Sequence, residues 1–378
     1  MRIAYVNGVC VQHDAISNAI RDEINWLRGG GHDARLFAYS CNHSDLPFTR
    51  VEKEADVAFD PYFQSSDLVV FHFGVFYPLF NLVSAVPLRS KRIVVFHNIT
   101  PKEFLPASAH DLIDRSFAQM ANIVFADQVI CVSETNRRVL NNAGIDVPST
   151  VLPIAFHVEL QAPQRKPSFD DGLLRIAFLG RLVKSKGPAD LLEAISRVME
   201  ADPRLRIRLD FVGNLHFSDE SIVTDVRRRM HTMRQRFAVR FEVDIQGNAP
   251  ESEKQRILAA ADVFVLPTYH EGFCVPILEA LASGCCVVTY DNSNLPAISG
   301  GLTRLVPTGD VSGLAATITD TLALVASSSW ISGGGYQRRV EASSAYIGKF
   351  RPDAVKQQYL SFINNQGRFH NRTRAANA

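Results

Sequence analysis

The chain has 378 residues, 46% of them hydrophobic and 21% charged, with a formal net charge of +1, the balance of an ordinary soluble globular protein. That length suits two domains of roughly 100–200 residues each. The near-zero charge excludes a global field for nucleic acid, so any anionic ligand must be met by local groups. Six cysteines without a CxxC pair argue for small buried hydrophobes in a reducing compartment, and against a zinc site or a disulfide framework.

The N-terminus reads MRIAYVNG. It begins as a strand and lacks the apolar core of a signal peptide. No stretch reaches the roughly 18 apolar residues of a membrane span. A cytoplasmic protein is expected, with peripheral membrane contact left open. In the first half, Ile3–Val6, Leu68–Phe73, Ile93–Phe96 and Val129–Val132 are candidate strands. Asp14–Arg28, Asp111–Phe125 and Glu134–Ala143 are candidate helices between them. The strands are continuously apolar, as parallel strands covered on both faces must be. LQAPQRKPSFDDG, residues 160–172, is rich in proline and polar residues and reads as an interdomain linker.

The pattern then restarts. Leu174–Leu179, Ile207–Val212, Val243–Gln246, Val263–Leu266 and Cys286–Tyr290 are strands; Pro188–Glu200, Ser252–Ala261 and Ile277–Ser283 are helices. Val311–Val325, Gln337–Gly348 and Pro352–Asn364 read as late helices, followed by a polar tail without apolar periodicity that should fray. The expectation is α/β with two Rossmann-like domains, residues 1–160 and 173–349. The helix of about 350–368 would pack back on the first. Two parallel sheets would face a cleft, with ligands outside the C-terminal ends of the strands.

Three constellations fall at such ends. GRLVKSKG, Gly180–Gly187, follows a strand and precedes Pro188, which suits a first helical turn. Gly180 permits close backbone approach, and Arg181 and Lys186 place positive charge where a diphosphate could lie. It is not a Walker loop, and a solvated basic turn is the plain alternative. The second constellation, Thr268 to Glu279, reads TYHEGFCVPILE. A strand, a glycine turn and a helix N-terminus together favour an anion through free N–H groups. Glu271 and Glu279, eight positions apart, can accept from sugar hydroxyls. The third is FHNITP, in which His97 ends an apolar strand. His72, at the end of Leu68–Phe73, is a further candidate; a structural hydrogen bond is the ordinary role for either.

GRLVKSKG followed by HEGFCVPILEALASG resembles the retaining glycosyltransferases of family 4, whose fold is called GT-B. The resemblance extends over nearly the whole chain, through Val129–Leu140, Val151–Ile154 and Asp291–Asp310. It implies that Arg181 and Lys186 hold the donor diphosphate and help the nucleoside diphosphate leave. It implies that Glu271 contacts the transferred sugar, that Gly272, Phe273, Cys274 and Val275 bring backbone amides to the donor, and that Glu279 binds the ribose. His97 would lie near the transferred sugar. Gly8, the single glycine of Asn7–Cys10, would stand for the family's glycine-rich turn beside the diphosphate. No metal or cofactor is implied, because two cations and a helix N-terminus can neutralise the developing charge.

The resemblance implies front-face substitution with retention; the carboxylate pair of a retaining glycosidase is not apparent. A hexose would pass from a nucleotide sugar, GDP-mannose ahead of a UDP-sugar, to a saccharide or lipid-linked glycan of a bacterial surface polysaccharide. Six arginines, Arg227, Arg228, Arg229, Arg234, Arg236 and Arg240, make either a solvated helix face or an attraction to anionic lipid; no aromatic platform suggests nucleic acid. The competing readings are a sugar-nucleotide epimerase or phosphorylase on the same scaffold and an inactive nucleotide-sugar-binding partner. An NAD-dependent oxidoreductase is disfavoured because GxGxxG is missing after the first strand.

Overall fold

The computed structural model describes residues 1–12, 14–156 and 162–376, with side chains as far as residue 366. The chain divides into two compact units. The first comprises Met1–Lys102, Pro106–Ala155 and Lys349–Ala378; the second comprises Glu103–Leu105 and Phe156–Gly348.

The first unit is built on a seven-stranded sheet. Its strands in chain order are β1 (Arg2–Val6), β2 (Asp33–Ala38), β3 (Phe48–Arg50), β4 (Leu68–Phe73), β5 (Lys91–Phe96), β6 (Gln128–Cys131) and β7 (Ser149–Val151). They lie side by side as β3-β2-β1-β4-β5-β6-β7, and every pair is parallel. β4 is buried at all six positions, which explains an apolar run broken only by His72. Helix α1 (Ala15–Gly29) starts where Asp14 accepts from Ser17 N–H, an ordinary N-cap. It turns Ile20, Ile24 and Leu27 inward. The last helix of the chain, Pro352–Ala376, belongs to this unit and sets Tyr359 against Trp26 of α1, ring centroids 6.2 Å apart.

The second unit repeats the plan with β8 (Leu174–Leu179), β9 (Ile207–Gly213), β10 (Phe241–Gly247), β11 (Val263–Leu266), β12 (Cys286–Asp291) and β13 (Thr303–Pro307). The order is β10-β9-β8-β11-β12-β13, again all parallel. In each unit the chain walks outward from its first strand, then returns to that strand's other side. The reversal leaves a crevice at the C-terminal ends of β1 and β4, and another at those of β8 and β11.

Several expectations needed correction. β2, β3, β7 and β13 had no counterpart among the candidate strands, because short or polar segments such as Phe-Thr-Arg carry little apolar signal. The final helix does not end near Asn364 but continues to Ala376. Leu160 and Gln161 of the supposed linker lie outside the described residues. The described remainder is docked rather than free. Lys166, 1% exposed, donates to Ala259 O at 2.8 Å and Ser283 O at 2.7 Å. Those carbonyls sit at two helix C-termini, where a cation is favoured. Five of the six arginines lie on helix Glu220–Phe237 and Arg240 in the short turn after it, with Arg229 paired to Asp225 at 2.7 Å and Arg236 to Glu200 at 2.5 Å. Much of that basic face is therefore compensated by its own protein.

Candidate functional site

In the second unit the crevice is formed by two loops that are bonded to each other. After β8, Leu182 and Val183 are buried and pin the loop to the core. Gly187 adopts φ +66 immediately before Pro188 opens a helix. A Cβ there would lie 2.1 Å from Pro267 O, so only glycine lets the loops touch. Tyr269 N–H donates to Ser185 O at 2.7 Å and Thr268 Oγ1 to the same oxygen at 3.0 Å. Across this seam Lys186 Nζ meets Glu271 Oε1 at 2.5 Å, their side chains 18% and 9% exposed. Asp190 supports the frame by accepting from Tyr269 at 2.6 Å and Tyr290 at 2.7 Å.

The loop after β11 ends in strained backbone. Cys274 holds φ +79, a conformation that disfavours a side chain. It stands at the N-cap of α-helix Val275–Ala282 and its side chain caps nothing. Asn294 Nδ2 fixes the turn by donating to Phe273 O at 2.9 Å. Pro276 brings no N–H to that first turn and Ile277 N–H is bonded to Cys274 O at 3.3 Å, so the amides available to an anion are those at and just before Val275, at the helix end where anions are received. Burial pushes the Cys274 thiol well up, so it is an inert hydrophobe.

Further along the same helix Glu279 is buried and accepts from Lys254 Nζ at 2.7 Å; Lys254 also pairs with Glu251 at 2.9 Å. Burial raises the Glu279 carboxyl above its ordinary value, and Lys254 only partly draws it back. For Lys254, burial pulls downward but Glu279 and Glu251 more than offset it, leaving the ammonium raised.

In the first unit His97 follows β5, and Gly8 follows β1. His97 Nε2 lies 2.9 Å from His72 Nδ1, and His72 Nε2 lies 3.1 Å from Glu23 Oε2. Tyr5 donates to the same carboxylate oxygen at 3.2 Å, and the Tyr359 hydroxyl meets that of Tyr5. Burial, reinforced by His72, holds the His97 imidazole well below its usual range. Gly8 O accepts from Tyr39 N–H at 2.9 Å. Among the described residues no cluster of three His, Cys, Asp or Glu could hold a metal ion, and no helix is long and apolar enough to cross a membrane.

Comparison with known proteins fits this geometry. The family described as Glycosyl transferases group 1 matches residues 174–323, which span both crevice loops and Glu279. Over those residues the second unit is similar to the glycosyl transferases of group 1. The D-inositol 3-phosphate glycosyltransferase of Corynebacterium aurimucosum is 35% identical over 132 residues, covering 35% of this chain and 30% of that protein. The O-antigen chain mannosyltransferase B of Escherichia coli is 28% identical over 145 residues, covering 38% of this chain and 36% of that protein. The chain thus spans about a third of the length of such curated relatives. Sucrose-phosphate synthase from Thermosynechococcus elongatus superposes with a TM-score of 0.68 over 100% of both chains at 18% identity. The shared fold is GT-B.

Of the residues singled out from sequence, the second unit gathers Gly180, Lys186, Glu271, Gly272, Phe273, Cys274, Val275 and Glu279 on or beside two loops and one helix. Arg181 is there too, exposed, and no described residue bonds its guanidinium. Gly8, His72 and His97 belong to the first unit. Sequence reasoning missed Lys254, Asp190 and Glu23. Lys254 lies in ESEKQR, which reads as a solvated helix face. The signal for Glu23 was present: it interrupts the apolar stripe Ile20, Ile24, Leu27, where an unpaired carboxylate is costly.

Proposed function

We propose that this protein is a retaining, metal-independent glycosyltransferase that moves a hexose from a nucleoside-diphosphate sugar to a hydroxyl of a saccharide or lipid-linked glycan. The observation that carries the reading is the Lys186–Glu271 pair at 2.5 Å, beside an uncapped helix N-terminus at the reversal of a parallel sheet. The pair puts one cation and one acceptor within bonding distance of each other, as a bond between sugar and phosphate requires. Lys186 takes the diphosphate oxygens as their charge develops, with exposed Arg181 as a second cation and the amides of 273–275 as donors. Glu271, released from Lys186, accepts from hydroxyls of the sugar. Glu279, held by Lys254, accepts from the ribose.

The leaving diphosphate departs on the face where the acceptor hydroxyl arrives, and a phosphate oxygen takes its proton; the anomeric configuration is kept. The Escherichia coli relative, named an O-antigen chain mannosyltransferase, supports GDP-mannose as donor and a surface polysaccharide as the setting. That setting implies a cytoplasmic protein, peripheral at the membrane. Under this reading the first unit binds the acceptor. Incubation with GDP-mannose or UDP-glucose and a saccharide acceptor tests it, with the anomeric configuration of the product read by NMR. Transfer with retention supports the proposal; transfer with inversion, or interconversion of the donor without an acceptor, would overturn it.

A further inference from the structure

The network in the first unit has an order to it that no general role of the fold requires. Glu23 lies on the apolar stripe of α1 yet is only 8% exposed, and His72 is 1% exposed. Burying a carboxylate and an imidazole costs several kcal/mol unless each is paired, and here both are. The His72 and His97 ring centroids are 5.1 Å apart with planes 23° from parallel. Since their nitrogens are 2.9 Å apart, the nitrogens lie between the rings and point at each other. Hydrogen bonding then fixes the protons. A carboxylate only accepts, so the N–H of a neutral His72 sits on Nε2 and its lone pair on Nδ1. His97 must supply the hydrogen from Nε2. Its Nδ1 is left with a lone pair that no described residue uses.

We infer that Glu23 and His72 are positioning residues that hold His97 with Nδ1 as a hydrogen-bond acceptor for a hydroxyl of the bound ligand. The acceptor stands at the C-terminal end of β5, where ligands of parallel sheets bind. A small recess lined by Glu23, Trp26, His97 and Tyr359 adjoins it. A second polar group is unspent beside it. Asn98, at φ +73, uses Oδ1 to accept from Ile99 N–H at 2.8 Å and leaves Nδ2 buried without a partner among the described residues. An open acceptor and an open donor on adjacent residues suit a hydroxyl, which both gives and takes. The neutral hydroxyls of Tyr5 and Tyr359 complete the hydrogen-bonded surroundings of Glu23, and the Tyr77 hydroxyl fixes the His72 backbone by donating to its carbonyl at 2.7 Å. That the hydroxyl belongs to a sugar rests on the glycosyltransferase reading; the direction of the hydrogen bonds does not.

The test is the tautomer of His97 in the full chain, labelled with 15N-histidine and read at pH 8 by long-range 1H–15N correlation. The expected result is hydrogen on Nε2 and a bare Nδ1. Glu23→Gln keeps the shape but offers an amide that can donate or accept, and should give a mixture of tautomers. His72→Phe, which keeps a flat ring, should do the same if the first variant folds poorly. A saturating saccharide acceptor, methyl α-mannoside, should move the Nδ1 resonance in the parent. Hydrogen on Nδ1 in the parent, or a tautomer indifferent to both substitutions, would overturn the inference. So would an unmoved Nδ1 while calorimetry shows the saccharide bound. The tautomer is read without turnover, so an inactive protein with the expected tautomer counts against the glycosyltransferase reading and leaves the positioning role supported.

Discussion

The two units share a strand order and a place for ligands but equip that place differently. At the crevice of the second unit the chain spends charge: Lys186 on Glu271, Lys254 on Glu279, with a helix N-terminus between those glutamates. The first unit, at the ends of β4 and β5, has two imidazoles in series, backed by one buried carboxylate. Topology therefore decides where each unit can bind, and side chains decide what. Under the proposed reading, cations and amides take a diphosphate and a neutral acceptor takes a hydroxyl.

The largest break in that comparison comes from Lys186→Ala. It should lower turnover about 10²- to 10³-fold, the usual cost of losing a group that stabilises transition-state charge, with the fold retained by circular dichroism. Lys254→Ala acts on stability instead. It leaves Glu279 buried without its cation, and urea unfolding should show a loss of about 3 kcal/mol. Gly187→Ala presses a methyl into Pro267 O and should cost about 2 kcal/mol while parting the two loops. A smaller effect is expected of Glu279→Ala on ligand affinity: about a tenfold weaker nucleotide Kd, or about 1.4 kcal/mol.

The smallest effect sharpens the contrast through pH. His97 in the folded protein is held below the ordinary 6.5, so the unfolded chain binds the proton first and stability falls as pH drops below that value. Glu279 is raised above the ordinary 4.5, so the folded protein keeps its proton longer and stability falls as pH rises from that value through the folded one. His97→Asn should flatten the acid-side loss and Glu279→Gln the opposite slope. Chemical unfolding across about pH 4 to about pH 8 would show both.

Much of the second unit was legible in its residues. Loop, strand and helix lie close together in sequence there, and Pro188 and Pro276 announce the helices that follow each loop. What escaped was whatever depends on distant segments. Lys254 and Glu279 are 25 positions apart, as are His72 and His97, and only strand order and helix packing bring each pair together. Both histidines were visible as singletons at strand ends. Their union required the parallel β4–β5 register, in which Phe73 pairs with Phe96. The left-handed Cys274 was invisible as well, because a cysteine is not a residue from which a positive φ is read.

Calorimetric titration with GDP, UDP and ADP, on the parent chain and on Lys186→Ala and Glu279→Ala, tests the central claim most directly. The account predicts selective binding of one nucleotide, weakened in both variants. Equal binding by parent and variants, or no binding of any nucleotide, would contradict a donor site at the crevice of the second unit.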